Sequence, residues 1–267
     1  MKQQIYLISS SGRSGSRFLQ QALSNSPINI PCFHEYDSDR LKRAIVLYLD
    51  NHLKKSELVI ILTKSFETIH DPFIDCSYLY SYIPDVLNEL KNNFEIRHFH
   101  IIRNGLNVVS SWYHKLGNEI YKEKYKVPNL ELVKASASAN KKDRSYFWPT
   151  LGKDLEFVDC HFGRVCHHYK MTNELIIKYN QTAKSKNLVP IIKFEDLINL
   201  RLRHPIFNGT LLELISKTKI DISRPININT KDQKDLNQKQ IKIFNTICGE
   251  VMKEFNYKLG QPELVNY

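Results

Sequence analysis

No stretch of this chain stays apolar for long enough to cross a bilayer, which excludes a helical membrane span. The opening residues, MKQQIYLIS, carry one lysine and a short apolar run, too little for an export signal. A cytoplasmic protein is expected. Cysteine is scarce: Cys32, Cys76, Cys160, Cys166 and Cys248 are odd in number, widely spaced and without a C-x-x-C pair. Reduced thiols rather than a disulfide framework are expected. Cys160-His161 and Cys166-His167-His168 bring metal-ligating residue types together, but both fall in one helical stretch, and no metal site is expected. Glycine and proline are few and scattered, no low-complexity tract or repeat occurs, and nothing marks a linker. These absences predict a single domain over residues 1–267.

Two nucleotide motifs are missing as well. A Walker loop needs a lysine after its second glycine, where this chain has Ser16, and the dinucleotide fingerprint needs a third glycine, which does not follow. What stands there instead is IYLISSSGRSGSRFLQQAL, residues 5–23: an apolar strand, a Gly/Ser turn, then a helix. Gly12 and Gly15 permit tight turning and close backbone approach, and the first N–H groups of the helix have no intrahelical partner. Ser14 and Ser16 add hydroxyls, and Arg13 and Arg17 add charge. This is a short loop suited to a phosphate or sulfate. The formal charge of +10 agrees with an anionic ligand. Its lysines are dispersed, however, and no nucleic-acid module is recognisable, so a small phosphorylated ligand is expected rather than nucleic acid.

Apolar, branched runs at 4–9, 58–63, 96–102 and 189–194 read as buried parallel strands. Between and after them, 17–25, 39–53, 78–93, 106–116, 163–184, 210–216 and 239–255 read as helices. The alternation predicts an α/β protein with a three-layer, P-loop-like fold: a mostly parallel central sheet flanked by helices. Ligands in such sheets sit beyond the carboxyl ends of strands, where the Gly12–Arg17 turn lies. Residues 121–159, rich in Lys, Ser, Asn and aromatics and weakly periodic, read as a substrate or lid excursion.

A second informative segment is HFHIIRNGLNVVSSWYH, residues 98–114. A strand ends at Arg103 and a helix follows with Ser110 and Ser111 on its early turns. An arginine at a strand end and a serine two helical turns on can converge on one phosphate.

Together these residues resemble the PAPS-dependent sulfotransferase superfamily. GRSGSRFL is similar to that family's loop for the 5′-phosphosulfate, and RNGLNVVSSWY to the segment that binds the 3′-phosphate through an arginine and a serine. VPIIKFEDL (189–197), FWP (147–149), CHHYKMTNE (166–174) and ICGEVMKEFNY (247–257) add likeness in the same order along most of the chain. The resemblance implies a sulfuryl transfer from PAPS to an acceptor hydroxyl, with 3′,5′-adenosine bisphosphate as product and no metal. Gly12, Arg13, Ser14, Gly15, Ser16 and Arg17 would cradle the donor, and Arg103 with Ser111 would hold the 3′-phosphate, Ser110 taking over if the register slips. The well-known soluble enzymes have lysine in the loop; glycan, tyrosylprotein and bacterial trehalose sulfotransferases resemble this chain in using arginine. Guanidinium is permanently charged and can fork two oxygens, so Arg13 is assigned charge stabilisation. Arg17 replaces a usual threonine, Gly105 a usual proline and Asn107 a usual aspartate.

An alcohol acceptor must lose its proton during transfer, so a base is required. The resemblance implies a glutamate near the position of Glu35, and His34 is its rival. Lys64 and Glu67 are weaker candidates for acceptor contacts. Glu195 and Asp196 are expected to stabilise the fold, and Trp112, Tyr113 and Trp148 to pack in the core or stack on a ligand. The expected acceptor is a glycan, glycoconjugate or small molecule. Two other functions remain open at this point: a kinase-like phosphoryl transferase using the same loop, and a non-catalytic nucleotide-binding protein of the same fold.

Overall fold

Strand Gln4–Ser10 (β1) is buried on both faces. Tyr6 and Ile8 join one apolar cluster, while Ile5 and Leu7 join another. That two-sided burial is what a central parallel strand requires. The computed structural model describes residues 2–24, 30–69, 72–116, 156–157, 160–198 and 236–259. After β1 come α1 (Ser16–Ser24), β2 (Cys32–His34), α2 (Ser38–Leu49), α3 (Lys55–Phe66) and β3 (Phe73–Cys76). A 3-10 turn (Tyr78–Tyr82) leads to α4 (Pro84–Leu90), β4 (Glu95–Ile102) and α5 (Gly105–Leu116). The last described elements are α6 (His161–Thr182), β5 (Ile191–Lys193), α7 (Phe194–Ile198) and α8 (Gln238–Glu254).

The strands lie in the order β2-β3-β1-β4-β5, and every pair is parallel. One face is covered by α1 and α7, whose Leu19, Leu23, Phe194 and Leu197 pack on Ile8, Ile74, Phe99 and Ile101. The other carries two clusters, one formed with α2, α3, α4 and the 3-10 turn, the second with α5, α6 and α8. This is the three-layer α/β architecture expected, with an all-parallel sheet among the described strands. From β1 the chain runs to β2 and β3 on one side, then crosses to β4 and β5 on the other. The carboxyl ends of β1 and β4 therefore form a topological switch point, the place where open α/β sheets bind ligands.

Two expectations are corrected. Residues 58–63, read as a strand, belong to helix α3. The run is apolar and branched, but burial falls on Leu58, Leu62, Ser65 and Phe66, a helical spacing, while Ile60 is 53% exposed. The Glu57 carboxylate also accepts from the Lys54 N–H at 2.7 Å and caps the first turn. Lys64 and Glu67 accordingly sit exposed in the last turn of a helix and at its end, not after a strand. The strands actually flanking β1 on this side are β3 and, beyond it, β2, only four and three residues long. Secondly, the helix expected over 78–93 is broken by Pro84, which ends the 3-10 turn and opens α4. The 210–216 helix, Trp148 and the 121–159 excursion, apart from Glu156 and Phe157, lie outside the described residues. Among the described residues no helix is long and apolar enough to cross a membrane.

Candidate functional site

The loop after β1 is held from inside by its carbonyls. Ser81 Oγ donates to the Ser10 carbonyl at 2.8 Å. The Ser11 carbonyl accepts two buried donors, Trp112 Nε1–H at 3.2 Å and His168 Nε2–H at 2.9 Å. Ser14 Oγ donates to the Gly12 carbonyl at 3.0 Å, so the 2.9 Å contact between Ser11 and Ser14 has Ser11 as donor. The Gly12 N–H donates to Ser10 Oγ at 3.1 Å. Because a carbonyl can only accept, His168 carries its proton on Nε2, and its Nδ1 accepts from Tyr82 O–H at 2.6 Å. Burial pulls the His168 pKa down to about 3, so this strut is neutral at ordinary pH.

The turn itself needs the left-handed region: φ is +69° at Gly12, +50° at Arg13 and +89° at Gly15. A Cβ on Gly15 would also fall 2.0 Å from the Phe194 ring. Glycine is thus required there twice over, by conformation and by space. Arg13 tolerates a strained backbone of the kind that clusters at functional sites.

Strand β4 brings up the second half. Asn104 caps α5 by accepting from the Leu106 and Asn107 N–H groups at 3.1 and 3.3 Å. Its own N–H donates to Glu195 Oε1 at 3.0 Å, while Glu195 Oε2 accepts from Tyr257 O–H at 2.7 Å. Glu195 is therefore a buried fold-stabilising group, as expected, and Asp196 is exposed. Anchored beside this junction, Arg103 donates from NH1 to the Arg13 carbonyl at 3.3 Å, with its guanidinium 5.2 Å from the Phe194 ring centroid. Among the described residues its buried Nε–H has no hydrogen-bond partner. Such an orphan costs about 1–3 kcal/mol unless a ligand satisfies it. Arg13 Nε donates to Ser111 Oγ at 3.0 Å. The structure thus brings Arg13, Arg103 and Ser111 together across the switch point. Ser110, one position back, is buried.

At the end of β2, His34 Nε2 lies 3.3 Å from Ser16 Oγ, which ties this segment to the first turn of α1. Burial pushes the His34 pKa down, and the positive charges of Arg17 and Lys42 act in the same direction against the Glu35 carboxylate. Arg17 itself is exposed. Glu35 and Asp37 both adopt left-handed backbone, with φ of +60° and +48°. The Glu35 N–H donates to the Cys76 carbonyl at 3.2 Å, and Glu35 Oε2 lies 3.5 Å from Lys42 Nζ. Next to them Asp75 is fully buried, which pushes its pKa up to about 6, and it accepts from Tyr80 O–H at 2.6 Å and from the Tyr36 N–H at 3.3 Å.

Lys42, Asp75, Tyr82 and His168 were not singled out as site residues from the sequence. Lys42 sits in an ordinary amphipathic helix, where a lysine reads as solvated. His168 sits in a Cys/His stretch whose only tempting alternative was a metal. Among the described residues no group of three or more His, Cys, Asp or Glu is placed to hold one. Trp112 supports the loop with its indole N–H, and Tyr113 packs on Phe162 with ring centroids 5.3 Å apart.

No family model and no curated protein matches the chain. Among solved structures, it is similar to the sulfotransferase domain from the curacin biosynthetic pathway, at 13% identity and a TM-score of 0.42, over 97% of this chain and 99% of that one. It is also similar to the sulfotransferase domain from the Synechococcus PCC 7002 olefin synthase, at 13% identity and a TM-score of 0.38, over 99% of this chain and 91% of that one. Both values are too low to carry an assignment, which has to rest on the residues of the site.

Proposed function

We propose that this protein is a sulfotransferase that uses PAPS and delivers a sulfuryl group to an acceptor hydroxyl, releasing 3′,5′-adenosine bisphosphate. The observation that carries the proposal is the meeting of Arg13, Arg103 and Ser111 at the carboxyl ends of β1 and β4, with the Arg103 Nε–H buried and unsatisfied. A donor bearing phosphate groups at two ends fits that set. The Gly12–Arg17 loop suits one end, and Arg103 with Ser111 suits the other.

When bound, PAPS supplies a sulfuryl group already activated by a phosphate leaving group. The protein's own work is then electrostatic and positional. Arg13 places a permanent charge where negative charge grows on the leaving side, and the N-terminal amides of α1 add to it. Glu35 accepts the acceptor's hydroxyl proton at its carboxylate. His34, whose basicity burial lowers and whose Nε2 lies 3.3 Å from Ser16 Oγ, fits a structural link better than a base. The acceptor we propose is a glycan or glycoconjugate. Incubation with PAPS and a panel of sugar, glycolipid and phenolic acceptors, with product sulfation read by mass spectrometry, tests the reading. Sulfation of a hydroxyl acceptor supports it. Phosphorylation from ATP with no transfer from PAPS overturns it in favour of a kinase, and tight nucleotide binding with no transfer to any acceptor overturns it in favour of a binding protein.

A further inference from the structure

Lys42 is the only buried lysine among the described residues, with a side chain 8% exposed. Burying an ammonium costs several kcal/mol, and a well-packed apolar residue at such a place is often as stable or more so. Its neighbours on α2, Leu41, Ala44 and Ile45, are core residues, so an aliphatic side chain would suit the helix. Lys42 lies 3.5 Å from Glu35 Oε2, a carboxylate that is itself 23% exposed, and its ammonium is 5.9 Å from the Tyr78 ring centroid.

Its partner Glu35 stands at the carboxyl end of β2 with φ of +60°, and Asp37 follows with +48°. Two left-handed, non-glycine residues in three cost roughly 1–3 kcal/mol each and persist only where the surroundings enforce them. The contacts in this turn include Ser65 Oγ on the Asp37 carboxylate, the Glu35 N–H on the Cys76 carbonyl, the Tyr36 N–H on Asp75, and Lys42 reaching back from the second turn of α2. Only the last of these touches the Glu35 side chain. It engages Oε2, while Oε1 makes no hydrogen bond among the described residues.

We propose that Lys42 is a positioning residue: by holding Glu35 through Oε2 it fixes the carboxylate so that Oε1 is the oxygen presented to the acceptor hydroxyl. This rests on the reading of Glu35 as the proton acceptor. A free glutamate side chain samples several rotamers, and the pair removes that freedom before the acceptor arrives.

A double-mutant cycle tests it, using Lys42→Met, Glu35→Gln and the combined variant in the full chain, with kcat from PAPS turnover and 3′,5′-adenosine bisphosphate affinity by calorimetry. Lys42→Met is expected to lower kcat between about ten- and a hundredfold with bisphosphate affinity unchanged, and Lys42→Arg to restore most of it. In the Glu35→Gln background the same Lys42→Met change is expected to have no further effect on kcat, because its action runs through Glu35. Wild-type kcat in Lys42→Met, or a loss that simply adds to that of Glu35→Gln, overturns the positioning role and leaves the base assignment standing. Wild-type kcat in Glu35→Gln overturns the base assignment itself, and Lys42's role with it. Should Lys42→Met not fold, Lys42→Gln completes the same cycle.

Discussion

Arg13 and Ser111, 98 positions apart in the chain, meet at 3.0 Å, the arginine's Nε donating to the serine's Oγ. The bond spans the switch point, joining the loop after β1 to the helix after β4. The Arg103 guanidinium lies on the same loop, donating to the Arg13 carbonyl. The three groups thus lie side by side at one loop.

Arg13 is expected to matter more for transfer than for binding, since charge builds on the leaving side mainly in the transition state. Arg13→Ala should lower kcat about a hundredfold while weakening 3′,5′-adenosine bisphosphate much less. Arg13→Lys keeps the charge but loses the fork, and should retain part of the activity. Steady-state kinetics and calorimetry on the two variants check this; wild-type kcat in Arg13→Ala would show that the loop arginine is only structural.

Gly15→Ala is expected to destabilise the fold and to impair donor binding together. The added Cβ meets the Phe194 ring at 2.0 Å and the backbone stays at φ +89°, so the penalty is roughly 1–3 kcal/mol from overpacking, before the conformational strain is added. Because Phe194 also carries the Arg103 guanidinium, the ring cannot yield without disturbing the ligand side. Thermal melting and bisphosphate titration of the variant read both effects; an unchanged Tm would contradict the packing described.

Acid should weaken the fold well above the range where most carboxylates titrate. Burial holds His98, His100 and His168 at about 3, 4 and 3, below the ordinary value of 6.5. Between 6.5 and those values the unfolded chain binds protons that the folded chain refuses, so stability present above 6.5 is lost as pH falls. Each histidine accounts for about 2 kcal/mol by pH 5. Asp75 opposes them, because its raised pKa makes stability fall as pH rises from 3.8 to about 6. Three groups against one leave a net loss. Urea midpoints at pH 7.5, 6 and 5 should decline in that order, and a flat or rising series would contradict the buried neutral histidines.

Glu35→Gln keeps the shape of the side chain but cannot accept a proton. Turnover should fall about a hundredfold or more while bisphosphate affinity hardly changes. His34→Ala is the informative control. If it abolishes turnover while Glu35→Gln stays active, histidine is the base and the Ser16 contact has another purpose.

What could be read from the sequence was what local spacing determines. The strand, loop and helix around Gly12–Arg17 are contiguous, and Arg103 and Ser111 are separated by two helical turns, so their placement is legible as a pattern. Ser111, preferred to Ser110 on the resemblance, accepts from Arg13 Nε, a contact across the sheet that spacing does not show. Strand β3 is not legible in the sequence because it is four residues long and contains Asp75, a residue strands disfavour, here stabilised by Tyr80. Helix α3 reads as a strand because ELVIILT carries the composition of a buried strand, and its register shows only in which residues are buried. His168 reaches Ser11 across 157 positions and Tyr82 across 86, contacts that no local pattern encodes.

The most direct test of the donor assignment is a calorimetric titration of the unmodified protein with 3′,5′-adenosine bisphosphate, AMP and ADP, repeated on Arg103→Ala and Ser111→Ala. If Arg103 and Ser111 hold a 3′-phosphate, the bisphosphate binds more tightly than AMP or ADP. Arg103→Ala then costs roughly 1.5–3 kcal/mol of bisphosphate affinity, more than Ser111→Ala, and leaves AMP binding nearly untouched. Equal affinity for AMP and the bisphosphate in the unmodified protein would contradict the account.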